Sequence, residues 1–398
     1  MNNLFAKASE AVPKISAQSI RFSFKGATGH IVGNGVADPL PRGRSDTLIE
    51  RIERACANTS PDTLIGGALP FDPAEADCLW CAEPARPAAC DRAEAIATQG
   101  YSIAAEPSAE DFSASVAVAL ERMRRDNGWP GGLEKVVLAR SLLVQAASEI
   151  PLDALMARLG VDPAVTAFRV ALPCPEGRER VLCGATPELL ASKNDATVIS
   201  HPLAGSARRA TDRTKDRAAG NLLLRSDKDR REHALVVEAI MDRLAPLCTQ
   251  LSAPEGMTLS ATQSMWHLGT RIEGKLSDPT IPSVVIASLL HPTPAVCGTP
   301  VPLAREVIRA IEQVPRGLYA GAVGWSDAKG DGAWYVAIRC AEISGSTARL
   351  FAGAGIVPGS DPRSETIETG AKFGALLAAL GLPADAALEG LVQKNGET

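Results

Sequence analysis

Lys135 opens the apolar run Lys135-Val-Val-Leu-Ala-Arg140. A lysine there either ends a strand in water or draws its ammonium into a partly dry cleft, where it loses pKa and can act as a general base. Glu188, in Gly184-Ala-Thr-Pro-Glu188-Leu-Leu, follows a proline turn and precedes two apolar residues. Burial there would raise its carboxyl pKa and make it a proton donor, whereas at a helix start it would only complement the dipole.

Further carboxylates fall on helical patterns. Asp227 opens a run with Leu235, Val236, Ala239 and Ile240 at helical spacing, so Glu232 shares a side with Leu235 and Ala239, at the edge of a buried face. An exposed Glu232 paired with Lys228 or Arg230 satisfies the same pattern. Near the C-terminus a strand enters the glycine-rich stretch from Gly353 through Gly355 to Gly359, and Asp361-Pro362 then reads as a cap with proline at the first helical position. Glu365, Glu368 and Lys372 follow at i, i+3 and i+7 on one face. Two carboxylates so placed suit a hard divalent cation such as Mg²⁺, and a surface Glu–Lys pair fits the spacing too.

His201–Arg209, Trp266–Thr270 and the stretch from Leu290 to Pro300 mix His, Pro, Gly and hydroxyls between apolar runs and read as site loops. No nucleophile elbow or Walker motif occurs, which removes serine hydrolase and P-loop readings. The nine cysteines are scattered in a chain too large to need staples and read as reduced. Cys78 and Cys81, with Cys90 nearby, read as buried thiols packed beside Trp80 rather than as a zinc site.

The elements that must position these groups alternate. Strands are expected at 136–143, 167–172, 196–200, 333–338 and 350–357, with a helix over about 108–126, capped by Ser108, for which Val116, Val118, Leu120 and Met123 supply apolar side chains. An exposed connection is expected over 82–107. Several strands follow one another directly, which favours antiparallel sheets. The pattern alone leaves α/β and α+β both open.

The formal charge is −5, from 41 basic and 46 acidic residues, and its thin spread argues against a nucleic-acid surface. No segment reaches the roughly 18 apolar residues of a membrane span. The first residues carry no signal-peptide pattern, so the cytoplasm is the expected location.

Taken in order, the segments KVVLAR, GATPELL, HPLAGSARR, DKDRREH, HLGT, LHPTPAVCGTP, YAGAVGW and GAGIVPGSDPRSETIETGAK resemble the chorismate-utilising enzymes. The resemblance spans Gly132 to Lys372, with a weaker echo at Ile65–Asp72, and is strongest to siderophore-type isochorismate synthases. It implies an α+β fold of large antiparallel sheets packed between helix layers. Residues 1–120 would form its N-terminal part and 121–398 the chorismate-binding catalytic region.

The resemblance also implies roles. Lys135 would activate water for addition at C2, and Glu188 would protonate the departing C4 hydroxyl. Glu232 and Glu368 would hold Mg²⁺, with Glu365 in its outer shell. Lys372 and a Gly353–Gly355 turn would bind a carboxylate, Arg339 and Tyr319 the enolpyruvyl carboxylate, and His267 would lie along the ring. Gly205, Ser206, Ala295 and Val296 complete the expected substrate contacts. Ammonia-using relatives replace the lysine, commonly by Gln, and depend on a glutaminase, so Lys135 points to water and to no such partner. Ala295-Val296, where lyase-capable members carry Thr, favours stopping at isochorismate. The alternatives are a salicylate synthase, a menaquinone-pathway isochorismate synthase or an inactive chorismate-binding protein. A monomer is expected.

Overall fold

The computed structural model describes residues 20–35, 40–57, 60–86, 100–174 and 179–388. The strand Lys135–Gln145 lies next to one edge of the first sheet and is buried on both faces, which is why apolar residues follow one another on either side of Arg140 and Ser141 and do not alternate with polar ones. It pairs antiparallel with Thr347–Ile356, Val136 opposite Ile356 and Gln145 opposite Thr347. The order continues through Cys340–Ser344, Arg180–Thr186, Thr166–Ala171, Phe22–Gly26 and Gly29–Asn34.

A second antiparallel sheet runs Leu64–Leu69, Ala322–Ser326, Gly332–Val336, Leu189–Asn194, Thr197–His201, Ile272–Leu276 and Cys248–Ser252. The strand Cys78–Pro84 belongs to both sheets. Its residues 78–82 ladder with 64–68, while Glu83 and Pro84 pair with Asn34 and Gly33. A third, three-stranded sheet joins Leu203–Arg208, Met265–Thr270 and Met257–Ala261.

On its other edge, Lys135–Gln145 meets two separate strands. Gly298–Thr299 covers Val136 and Lys135, and Ser102–Glu106 covers 141–145, so the ladder is interrupted between them.

Helices cover the sheets. Leu142 and Val144 share an apolar cluster with Leu155 of the helix Leu152–Leu159 and with Phe373, Leu376 and Leu377 of Pro362–Ala379. Ser283–Leu290 lies on the second sheet, next to Asp227–Leu244. The molecule is therefore α+β. Among the described residues no helix is long and apolar enough to cross a membrane.

The expected strands form, each with ends shifted by up to three residues. The first expected helix is Ala109–Asp126, with the Ser108 hydroxyl accepting from the Asp111 amide. Its buried stripe is Phe112, Val116, Ala119 and Met123, however, and Val118 is exposed. Val118 lies two residues from Val116, which turns it to the far side of the helix.

The expected connection over 82–107 is corrected at both ends. Cys78–Pro84 is a strand, and Ser102–Glu106 is an exposed strand that shows no apolar alternation; residues 87–99 lie outside the described residues. Cys78 is buried as expected, its thiol pushed up to about 12 by desolvation, and Trp80 donates its indole N–H to Ala171 O at 2.8 Å. Cys90 lies outside the described residues.

Candidate active site

Lys135 begins its strand with a wholly buried side chain, and its Nζ lies 3.0 Å from Glu232 Oε1. That ion pair replaces the expected alternatives for Glu232, because Lys228 instead binds Glu365 Oε1 at 2.6 Å. Glu232 reaches the cavity from Asp227–Leu244, whose inner face also buries His233, Val236, Ile240 and Leu244. The helix is capped by the Ser226 hydroxyl, one residue ahead of Asp227.

Gly353 and Gly355 are corrected from turn to strand: they pair with Ala139 and Val137. A Cβ on Gly355 would stand 2.3 Å from Glu232 Oε1 and 3.3 Å from Lys135 Cε, and one on Gly353 would stand 3.1 Å from the Tyr319 hydroxyl. The glycines are there because backbone and functional side chains approach too closely for any side chain. The turn itself lies beyond them, at Gly359, where φ is +96°.

Glu188 sits between the strands Arg180–Thr186 and Leu189–Asn194, so the helix-start alternative falls away. It is 3% exposed, and desolvation pushes its pKa up to about 8, against the Leu203 amide and the charges of Lys135 and Lys372. A carboxyl in that state still carries its proton near neutrality and can give it away.

The segments containing Gly205, Ser206 and His267, read as loops, are strands of the third sheet, with Ser206 opposite His267. Ser206 donates to Glu368 Oε1 at 3.1 Å. Lys372, one turn from Glu368, reaches the same oxygen at 2.6 Å and donates to Gly353 O. Burial tends to raise the Glu368 pKa, but Lys372, Lys228 and Ser206 together hold it below the usual range.

Arg339 adopts a left-handed backbone, φ +51°, rare outside glycine. Its buried guanidinium is hydrogen-bonded to no described protein group, and desolvation lowers its pKa against the pull of Glu368. His267 is also buried, its Nε2 unpartnered, and desolvation with the charges of Arg339 and Lys372 drives its pKa well down, so the ring is neutral. Tyr319 stacks on Phe351 at 4.8 Å.

Glu188, Glu232, Glu368, Lys372, Gly205, Ser206, His267, Ala295, Val296, Tyr319, Arg339, Gly353 and Gly355 line one cavity, with Lys135 buried beside it. Glu365 does not reach its wall and faces Lys228. Phe351, Ile338 and Leu203 also line it and carry no chemical signature that a sequence reading could find.

The donors present fit Mg²⁺. Among the described residues no three acidic, His or Cys groups gather tightly enough to enclose an ion alone. Two carboxylates on one cavity, leaving other positions to water and substrate oxygens, are how Mg²⁺ is usually held.

The family model of chorismate binding enzymes matches residues 81–381. The chain belongs to this family of chorismate-binding enzymes.

Its similarity to other chorismate-binding enzymes extends over nearly the whole chain. Isochorismate synthase DhbC of Bacillus subtilis is 39% identical over 368 residues, covering 88% of this chain and 91% of that protein. The vibriobactin-specific isochorismate synthase of Vibrio cholerae is 35% identical over 373 residues, 91% of each. A solved Bacillus anthracis structure, the putative 2,3-dihydroxybenzoate-specific isochorismate synthase DhbC, superposes with a TM-score of 0.84 at 36% identity, covering 93% of this chain and 98% of that one.

Proposed function

We propose that the protein is a siderophore-type isochorismate synthase, converting chorismate to isochorismate. The relatives support the substrate, two of them carrying siderophore-linked names. The reaction requires a base for water at C2 and an acid for the C4 hydroxyl. The observation that carries the reading is the pairing of a fully buried amine, Lys135, with a carboxyl that keeps its proton to about pH 8, Glu188, close enough for the Lys135 charge to act on it.

In this scheme Lys135, after its ammonium has released a proton to solvent, takes a proton from water as that water's oxygen bonds to C2. The ring double bonds shift, the C4–O bond breaks, and Glu188 supplies the proton with which that oxygen leaves as water. The Arg339 guanidinium, in an ion pair with no carboxylate among the described residues, offers a planar fork to the enolpyruvyl carboxylate, with the Tyr319 hydroxyl beside it. Neutral His267 lies against the ring. Glu232 and Glu368 would hold Mg²⁺, with Glu365 behind them, and the ion when bound supplies positive charge to the ring carboxylate. Water as nucleophile calls for no glutaminase subunit, and we place the enzyme, as a monomer, in the cytoplasm.

Incubating the protein with chorismate and Mg²⁺ and separating the products tests this reading. Isochorismate alone is expected. Salicylate with pyruvate would make it a salicylate synthase, and unconverted chorismate that nevertheless binds would make it an inactive binder.

A further inference from the structure

The interruption in the ladder beside Lys135–Gln145 is filled by one backbone carbonyl and two side chains. Val137 and Ala139 direct their backbone groups into the gap between Gly298–Thr299 and Ser102–Glu106. The Val137 amide finds Cys297 O at 2.8 Å. Its carbonyl accepts from Arg316 Nη2 at 2.7 Å, and the Ala139 amide donates to Glu312 Oε1 at 2.8 Å.

Arg316 also donates Nη1 to Val296 O at 2.8 Å and Nε to Glu312 Oε2 at 2.8 Å, and it lies 4.2 Å over the Phe71 ring. Both side chains of the pair are almost fully buried, at 4% and 7% exposed. Val137 and Val296 both line the cavity, and Lys135 stands two residues from Val137.

We infer that Arg316 and Glu312 are a positioning pair for the reaction: standing in for a missing strand, they set the distance between the strand that carries Lys135 and the loop that carries Ala295 and Val296. Neither touches the cavity. A continuous strand in the gap would fix the ladder equally well, but it could not also hold the Val296 carbonyl, so the fork of one arginine does what backbone pairing cannot. The inference rests on the isochorismate synthase reading and concerns how that site is held.

Arg316→Lys keeps the charge beside Glu312 but replaces the planar fork by a single ammonium, which cannot reach all three acceptors. The expected result is a folded enzyme whose KM for chorismate rises about tenfold while kcat falls less, as uniform binding is lost. Its half-saturating Mg²⁺ should be unchanged. Glu312→Gln, which keeps an oxygen for the Ala139 amide, should give a smaller rise in KM.

A folded Arg316→Lys with wild-type KM overturns the inference, and so does a shift in the Mg²⁺ titration as large as that in KM. Wild-type protein that forms no isochorismate instead overturns the function. The pair is then tested by calorimetric chorismate binding: weaker binding in Arg316→Lys supports it, and equal binding overturns it.

Discussion

Lys135 Nζ and Glu232 Oε1 meet at 3.0 Å across the boundary between the first sheet and the helix Asp227–Leu244, and the backbone of Gly355 lies against both side chains, with no room for a Cβ. Strand, helix and glycine thus define one point. What disturbs that point should disturb chemistry before it disturbs folding.

Gly355→Ala tests this directly. Its new Cβ would meet the far ends of two side chains and not rigid backbone, so the strand accommodates it while Glu232 and Lys135 are pushed aside. A displacement of about 1 Å is enough to lower kcat/KM roughly a hundredfold. The thermal midpoint should move by only a few degrees, and an active variant would show that the close approach does not matter.

Lys135→Gln should lower turnover by about 10²–10⁴-fold, the range for loss of a general base. Calorimetry should still detect chorismate binding, since the carboxylate donors are intact. Retained turnover would remove Lys135 from the role of base.

Glu188 gives the reaction a pH signature. Its protonated form persists to about pH 8, so kcat should decline above that pH, and Glu188→Gln should lose the descending limb together with most of the activity. Stability carries the same mark. In the unfolded chain the carboxyl ionises near 4.5, whereas in the fold it holds its proton up to about 8. Between these values the folded state binds more protons, so stability falls as pH rises and levels off above 8. Relative to wild type, the thermal midpoint of Glu188→Gln should therefore improve from pH 5 to pH 8; an offset independent of pH would contradict the buried acid.

Glu232→Ala and Glu368→Ala should each raise the half-saturating Mg²⁺ at least about tenfold, and Glu365→Gln, one layer further out, should raise it less. Titration calorimetry with the metal alone separates this from effects on turnover. Identical titrations in all four proteins would rule out these carboxylates as the metal site.

Arg140 supplies a stability test away from the cavity. It lies 5.8 Å from the Phe112 ring centre and 5.5 Å from that of Phe373, donates to Thr369 Oγ1 at 2.8 Å and pairs with no described carboxylate. Thr369 itself still donates to Thr366 O, so removing the arginine strands no hydroxyl. Arg140→Met should cost under about 1.5 kcal/mol by filling the same volume, whereas Arg140→Ala should cost about 2–5 kcal/mol for the cavity. Equal denaturation midpoints for the two variants would show that packing is not its function.

The parts of this molecule legible in its sequence are those where a local pattern meets an invariant chemical need. Ser108 and Asp361 cap their helices where expected, and the i, i+4 spacing of Glu368 and Lys372 does bring them together. The edge position of Glu232 on its helix also holds, and there the sequence could not say which cation it meets.

Long-range pairing escapes such patterns. Ser102–Glu106 is a strand only because Ser141–Gln145 lies beside it. The segments around Ser206 and His267 carry the polar and glycine residues of loops yet are strands, since each supplies the other's hydrogen bonds. Gly353 and Gly355 look like a turn locally, and only the arrival of Glu232 and Tyr319 from elsewhere explains them.

The shared strand Cys78–Pro84 has a consequence for any attempt to trim the molecule. The region matched by the family model starts at Cys81, inside that strand. A fragment cut there would uncover the flank of Thr166–Ala171 that Phe22–Gly26 now closes and that of Ala322–Ser326 that Leu64–Leu69 now closes. Bare flanks of this kind invite other chains to dock and aggregate. The strands Phe22–Gly26 and Leu64–Leu69, which line none of the cavity, are thereby what closes both flanks.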